Sequence, residues 1–94
     1  MPDIAGALDA ARIRRAVAQA RSGDPEAIAR LYDLYAARVY RFALVRVESR
    51  ADAEDILQQT FVKMIEALPR YEDRGLPFAA WLFRIARNSM IDLA

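Results

Sequence analysis

A chain of 94 residues, 55% of them apolar, has room for one domain with a modest core, and its net charge of +1 is too small to attract nucleic acid over the whole surface. It contains no His and no Cys, so the commonest metal ligand, the commonest general base and thiolate chemistry are absent. An enzyme is therefore disfavoured, and we expect neither a cofactor nor a metal.

The apolar segments argue against a membrane protein. The longest of them, residues 78–83, is far shorter than the roughly 20 residues that cross a bilayer. Residues 1–6 lack the basic stretch followed by an apolar run that marks an export signal. We expect a cytoplasmic protein without membrane insertion.

The balance of charge changes along the chain. Residues 1–23 contain four Arg and two Asp, and residues 24–48 balance four basic residues with four acidic ones. Residues 49–75 carry four basic and six acidic residues, and residues 76–94 carry two Arg and one Asp. An acidic middle followed by a mildly basic end predicts two different partners.

The spacing of apolar residues predicts four helices and no strand, so the fold class is all-α, a compact bundle of three to four helices. The first helix is predicted over residues 4–21 and ends at Ser22-Gly23. Its apolar stripe is weak and consists of Ile13, Ala16, Val17 and Ala20.

The second helix has the clearest start signal. Asp24 can cap the free amides, Pro25 suits the first helical position, and Glu26 complements the helix dipole. The pattern continues to about Val47. The residues that share one face are Ile28, Leu31, Tyr32, Tyr35, Val39, Phe42 and Ala43.

A third helix is predicted from its cap at Ser49 to the break at Pro69. The residues that fit the helical template are Leu57, Thr60, Phe61, Met64, Ile65 and Leu68. Its first turns are acidic, with Asp52, Glu54 and Asp55, which favours the helix dipole and needs no metal. The same turns followed by Gln58-Gln59 can instead dock a basic partner helix, and the sequence leaves both interpretations open.

Residues 70–76 are polar and predict a loop, and Pro77 opens the last helix. One face of this helix is apolar, comprising Phe78, Leu82, Ile85, Ala86 and Ser89, and another carries Arg84, Arg87, Asn88 and Ile91, with Trp81 between them. Such a helix can place arginines on phosphates, an amide on a base edge and a ring on a base. A solvated face with a core tryptophan is the plainer alternative.

Three segments in this order carry a family resemblance: residues 24–27 (DPEA) with the long helix that follows, residues 53–61 (AEDILQQTF) and residues 78–88 (FAAWLFRIARN). Together they resemble the second conserved region of bacterial sigma factors of the extracytoplasmic-function group. The similarity covers residues 24–94. Residues 1–23 look like the variable leader that precedes this region, here predicted to be helical.

The resemblance implies two partners, and the polymerase rather than this chain would supply catalysis. The third helix would dock on the clamp helices of the RNA polymerase beta-prime subunit through Asp52, Asp55, Gln58, Gln59 and Phe61. The last helix and the preceding loop would bind the minus-ten promoter element through Tyr71, Arg74, Leu76, Trp81, Arg84, Arg87, Asn88 and Asp92. An anti-sigma factor is a further partner that the resemblance implies.

In the family, the loop matching residues 71–76 captures a base flipped from the non-template strand, and the position matching Asn88 lies beside that base. Flipping costs a few kcal/mol of unstacking, which contacts in a pocket must offset.

Two positions depart from the family pattern. Gln59 stands where the family commonly has Glu, and Asp92 places a negative charge near the expected DNA face, where it would accept from a cytosine amino group or an arginine rather than touch phosphate.

Nothing corresponds to the family's separate helix-turn-helix domain, and the last predicted helix has no end signal. We therefore expect a piece of a longer protein. A helical protein interaction module without DNA binding remains the alternative function.

Overall fold

The computed structural model describes the backbone of residues 4–93 and the side chains of residues 9–92. In chain order it contains α1 (Ile4–Arg21), α2 (Pro25–Leu44), α3 (Arg50–Ala67), a short 3-10 turn (Leu68–Arg70) and α4 (Phe78–Leu93). Residues 4–93 contain no strand. The predicted all-α fold is confirmed, and so are the bounds of the first helix.

The helix starts form as their capping residues predict. The Asp24 carboxylate accepts a hydrogen bond from the Glu26 amide at 3.0 Å, and the Ser49 hydroxyl accepts one from the Asp52 amide at 3.1 Å. Gly23 takes a φ of +91° at the end of α1, a backbone conformation that glycine adopts without a steric penalty. These short connections set α1 against α2 and α2 against α3.

The second helix ends at Leu44, three residues before the predicted end near Val47. The helical pattern breaks because the Arg46 amide donates to the Ala43 carbonyl, only three residues back, and the Phe42 carbonyl accepts instead from the Arg46 Nη1 at 2.9 Å. That bond satisfies one of the carbonyls left open at a helix end, so the chain can turn away before α3 begins.

The core lies where α2, α3 and α4 meet, and α1 covers one side of α2. Its fully buried side chains include Leu31, Val39, Ile56, Met64, Leu68 and Leu82. A smaller cluster of Ala43, Ala53 and Ile56 is covered by the half-buried Tyr40, Val47 and Met90. Within residues 4–93, none of the helices has the length and apolar character needed to span a membrane.

Two residues of the helical patterns in α2 and α3 are exposed. Tyr32 is 43% exposed and Ile65 is 46% exposed, so each pattern includes a residue outside the buried face. The buried residues of α2 recur every four positions from Ala27 to Ala43, and Tyr32 falls at the edge of that stripe. Ile65 lies on the outer side of α3, which no other described helix covers.

Candidate functional site

The loop between the 3-10 turn and α4 is anchored by aromatic packing. Tyr71 is only 9% exposed, and its ring centroid lies 4.8 Å from that of Trp81 and 5.4 Å from that of Phe78. The ring centroid of Tyr35 in α2 lies 5.9 Å from that of Phe78. The loop therefore leaves the bundle from a fixed base, and Tyr71 faces the core more than the solvent.

Both buried tyrosines are held neutral at physiological pH. Burial raises the pKa of Tyr71, the nearby Asp73 carboxylate raises it further, and Arg21 lowers it. Burial also raises the pKa of Tyr35, against a lowering by Arg38 and a smaller raising by Tyr71. Neither phenol therefore supplies an acid or a base near neutral pH.

The tip of the loop is bent and polar. The Gly75 amide donates to the Asp73 carboxylate at 2.9 Å, and Gly75 has a φ of +80°. Arg74 forms an exposed ion pair with Glu72 at 2.9 Å. This turn leaves Leu76 64% exposed just before α4, so the loop presents an apolar side chain beside charged ones.

The two faces predicted for α4 are present. Phe78, Leu82, Ala86 and Ser89 are buried, whereas Arg84, Arg87, Asn88 and Ile91 are exposed and Trp81 is half-buried. The Ser89 hydroxyl has no hydrogen-bond partner among the described residues, whereas the buried Thr60 hydroxyl donates to the Ile56 carbonyl at 2.6 Å. Because the four buried side chains hold α4 against the core, the direction of its exposed side chains is fixed.

Asn88 and Asp92 line a shallow cleft of about 400 Å³ between α3 and α4. In this cleft the Lys63 Nζ lies 2.8 Å from the Asp92 Oδ2. Asp92 was expected to accept from a base or an arginine, but in the structure its partner is this lysine of α3. Lys63 was missed by the sequence reasoning because 29 residues separate the pair.

The residues predicted to contact the polymerase lie on three sides of α3. Asp55 and Gln58 are exposed on the outer side, whereas Asp52 and Gln59 are half-buried on the side of Lys63, toward α4. Phe61 is only 6% exposed and packs edge-to-face against Tyr32 of α2, with ring centroids 4.8 Å apart.

The outer side of α3 continues with two apolar residues that the sequence reasoning did not assign to a site. Val62 is 49% exposed and Ile65 is 46% exposed, and helical spacing aligns them with Asp55 and Gln58. We call these four residues the α3 outer face. A helix that exposes apolar side chains next to acidic and amide groups can pack against another helix. No group of three or more residues within the described part of the chain could hold a metal ion.

A second cleft, of about 550 Å³, lies between α1 and the loop. Arg14 and Arg21 of α1 line one wall, and Tyr71, Leu76 and Phe78 line the other. The segment predicted to be a leader therefore packs beside the loop that precedes α4. The boundary between residues 1–23 and 24–94 stays a prediction.

Comparison with known proteins identifies the family that the chain matches. The family described as Sigma-70 region 2 matches residues 31–94. The chain is 39% identical over 84 residues to the ECF RNA polymerase sigma factor BldN of Streptomyces coelicolor, which covers 89% of this chain and 32% of that protein. No solved structure matches the chain.

Two further relatives carry the same description. The chain is 36% identical over 85 residues to the ECF RNA polymerase sigma factor SigD of Mycobacterium tuberculosis, covering 86% of this chain and 40% of that protein. It is 31% identical over 80 residues to the ECF RNA polymerase sigma factor SigW of Bacillus subtilis, covering 85% of this chain and 42% of that protein. The chain thus spans less than half the length of each of these relatives. With its four helices and the match over residues 31–94, the chain belongs to the sigma-70 region 2 family, in the extracytoplasmic-function group of sigma factors.

Proposed function

We propose that this chain is the part of a sigma factor that docks on RNA polymerase and recognises the minus-ten element of promoter DNA when transcription starts. The observation that carries the proposal is the presence of two exposed surfaces of different chemistry on adjacent helices. The α3 outer face is acidic, amide-bearing and apolar, and the exposed face of α4 carries Arg84, Arg87 and Asn88. Two such surfaces suit a protein that connects a protein partner to a DNA partner.

The exposed face of α4 would bind the non-template strand of the minus-ten element. Arginine side chains suit phosphate contacts, and an asparagine amide can form two hydrogen bonds to a base edge. Asn88 lies beside the α3–α4 cleft, and half-buried Trp81 offers an aromatic edge on the same side of the helix. The bent loop with exposed Leu76 would receive the flipped base, as the family resemblance implies.

The α3 outer face would bind the beta-prime clamp helices. A coiled coil offers helix surfaces on which Val62 and Ile65 can bury apolar area while Asp55 and Gln58 form polar contacts at the edge. Phe61 would act from beneath this surface, because it is packed against Tyr32 rather than exposed. Asp52 and Gln59 would contact the clamp only where the α3 outer face borders α4.

A titration with a labelled clamp-helix fragment of beta-prime tests the docking surface. We expect the double variant Gln58→Ala/Val62→Gln to weaken binding at least about tenfold, because truncating a hot-spot residue near the centre of an interface costs about 2 kcal/mol or more. Leu34→Gln is the matched control, since Leu34 is 52% exposed on α2 and lies outside the α3 outer face. Circular dichroism verifies that both variants fold. Equal affinities for wild type and the double variant would contradict this docking surface.

The exposed apolar residues of α3 also support a second candidate, an interaction module that binds a partner helix and no DNA. An anti-sigma factor would be one such partner, and it can coexist with the first function. The two candidates differ in strand binding: a folded chain that binds the clamp fragment but no minus-ten strand, alone or with polymerase, favours the second.

A further inference from the structure

The cleft between α1 and the loop before α4 has a basic wall and an apolar one, and we call it the α1–loop cleft. Its α1 wall carries Arg14 and Arg21, which share one side of the helix because they are seven residues apart, with Val17 between them. The loop and the start of α4 form the opposite wall, which includes Leu76 and Phe78. At about 550 Å³, the cleft has the size of sites that hold small organic ligands.

Two buried tyrosines line this cleft with hydroxyl groups that have no hydrogen-bond partner. Tyr35 is 3% exposed and Tyr71 is 9% exposed. Among the side-chain hydrogen bonds of residues 9–92, none involves either hydroxyl. Neither phenol oxygen is fully enclosed by protein atoms, so both can be reached by a ligand. Because burial raises the pKa of both tyrosines, each phenol keeps its proton at neutral pH and can donate it.

The lining of the α1–loop cleft is positively charged. Among residues 9–92, neither Arg14 nor Arg21 forms an ion pair or a side-chain hydrogen bond. Asp73 supplies the one carboxylate of the lining, and it accepts from the Gly75 amide at 2.9 Å. Beside the effect of burial, Asp73 raises the pKa of Tyr71 and Arg21 lowers it, so both charges lie near that phenol. Two guanidinium groups and one carboxylate leave a net charge that favours a ligand with a single negative charge.

We propose that the α1–loop cleft binds a small organic carboxylate with an apolar body. The carboxylate accepts hydrogen bonds from the Arg21 guanidinium and the Tyr71 hydroxyl, and the apolar body lies along Val17, Leu76 and Phe78. The planar guanidinium group matches the geometry of a carboxylate, and hydrogen bonds between charged partners are stronger than neutral ones. Leu76 is 64% exposed without a ligand, so an apolar body beside it buries surface that the chain leaves open to water.

Nuclear magnetic resonance titrations of the 94-residue chain with two carboxylates test this site. Decanoate has an aliphatic body and naphthoate an aromatic one, so the pair distinguishes the two kinds of apolar body. Naphthamide has the shape of naphthoate without its charge, and acetate has the charge without the apolar body. The amide resonances of Val17, Gly75 and Ala79, which line the cleft, report whether a ligand binds there.

We expect decanoate, naphthoate or both to shift these resonances, and naphthamide and acetate to bind at least about tenfold more weakly than the tighter carboxylate. Arg21→Gln and Tyr71→Phe should each weaken carboxylate binding about tenfold, because each removes a donor to a charged acceptor. The matched control is Arg12→Gln, which removes the same charge from an exposed position of α1 outside the cleft and should bind as wild type does.

Circular dichroism verifies that each variant folds. Four outcomes overturn the inference: no shift with either carboxylate, shifts confined to other parts of the chain, naphthamide or acetate binding as tightly as the carboxylates, and wild-type affinity in both folded test variants.

Discussion

The two sides of α4 differ in chemistry. Toward α3 lie Trp81, Asn88 and Asp92, and there the Asp92 carboxylate is paired with Lys63. Toward α2, the Arg46 guanidinium carbon lies 3.8 Å from the Phe42 ring centroid and that of Arg38 lies 5.6 Å from the Phe83 centroid, and within residues 9–92 no carboxylate pairs with either arginine. Hydrogen-bonding groups that can discriminate bases are thus separated from charges that attract any strand.

One buried stripe holds both sides in place. Leu82 and Ala86 are fully buried between the two surfaces, and Phe78 joins them to the aromatic base of the loop. Because α4 cannot rotate without exposing this stripe, Asn88 and Arg87 keep a fixed angle to each other around the helix. Base recognition on one side of α4 and affinity for the strand backbone on the other can therefore be tested by separate substitutions.

Apart from the loss of base preference expected for Asn88→Ala, the largest effect within this comparison comes from breaking the ion pair between Lys63 and Asp92. Lys63→Met leaves the Asp92 carboxylate unpaired at the edge of the cleft, where it would repel an approaching strand. We expect about fivefold weaker binding of the minus-ten strand at low salt, and a change in unfolding free energy below ~1 kcal/mol because the pair is exposed. Fluorescence anisotropy and urea denaturation measure the two quantities.

The double variant Lys63→Met/Asp92→Asn provides the control for this prediction. Removing the carboxylate as well should restore most of the lost binding, since the repulsive charge is gone. If Lys63→Met alone binds as wild type does, Asp92 does not face the strand, and the assignment of the α3 side to DNA is contradicted.

The smallest expected effect is on stability at high pH and comes from Tyr71, whose ring packs against Phe78 and Trp81 at the base of the loop. Burial raises the pKa of Tyr71 in the folded state. The stability that the neutral Tyr71 phenol contributes is therefore fully present below about pH 10, the ordinary tyrosine pKa, and is lost as the pH rises through the higher folded-state pKa. Tyr71→Phe should therefore lose less stability than wild type between pH 9 and pH 11, measured by urea denaturation across that range. Tyr32→Phe, at an exposed position, is the control.

The same Tyr71→Phe variant should bind the minus-ten strand at pH 7.5 as wild type does, because ring packing against Trp81 and Phe78 is retained. A marked loss of binding would show instead that the phenol hydroxyl contacts DNA directly.

Local signals in the sequence were sufficient for the helices. Asp24 and Ser49 cap α2 and α3 because a capping side chain acts on amides only two or three residues away. The apolar and polar faces of α4 also follow from spacing within a single helix. These features depend on neighbours along the chain, which a sequence displays.

Features that depend on packing between helices could not be predicted. The Lys63–Asp92 pair and the stacking of Arg38 on Phe83 join helices that are distant in sequence. The exposure of Ile65 depends on which sides of α3 its neighbours cover, and a periodic pattern does not contain that information.

The most direct test of the central claim measures base preference in strand binding. Minus-ten non-template strands that differ only at the flipped position are titrated with wild type, with Asn88→Ala and with Arg38→Gln/Arg46→Gln at one stated salt concentration. We expect wild type to prefer one base by roughly tenfold, since a good side-chain contact to a base contributes ~1–3 kcal/mol of discrimination. Asn88→Ala should lose that preference, and Arg38→Gln/Arg46→Gln should keep it while binding every strand more weakly. A folded Asn88→Ala variant that retains the full preference would contradict the account.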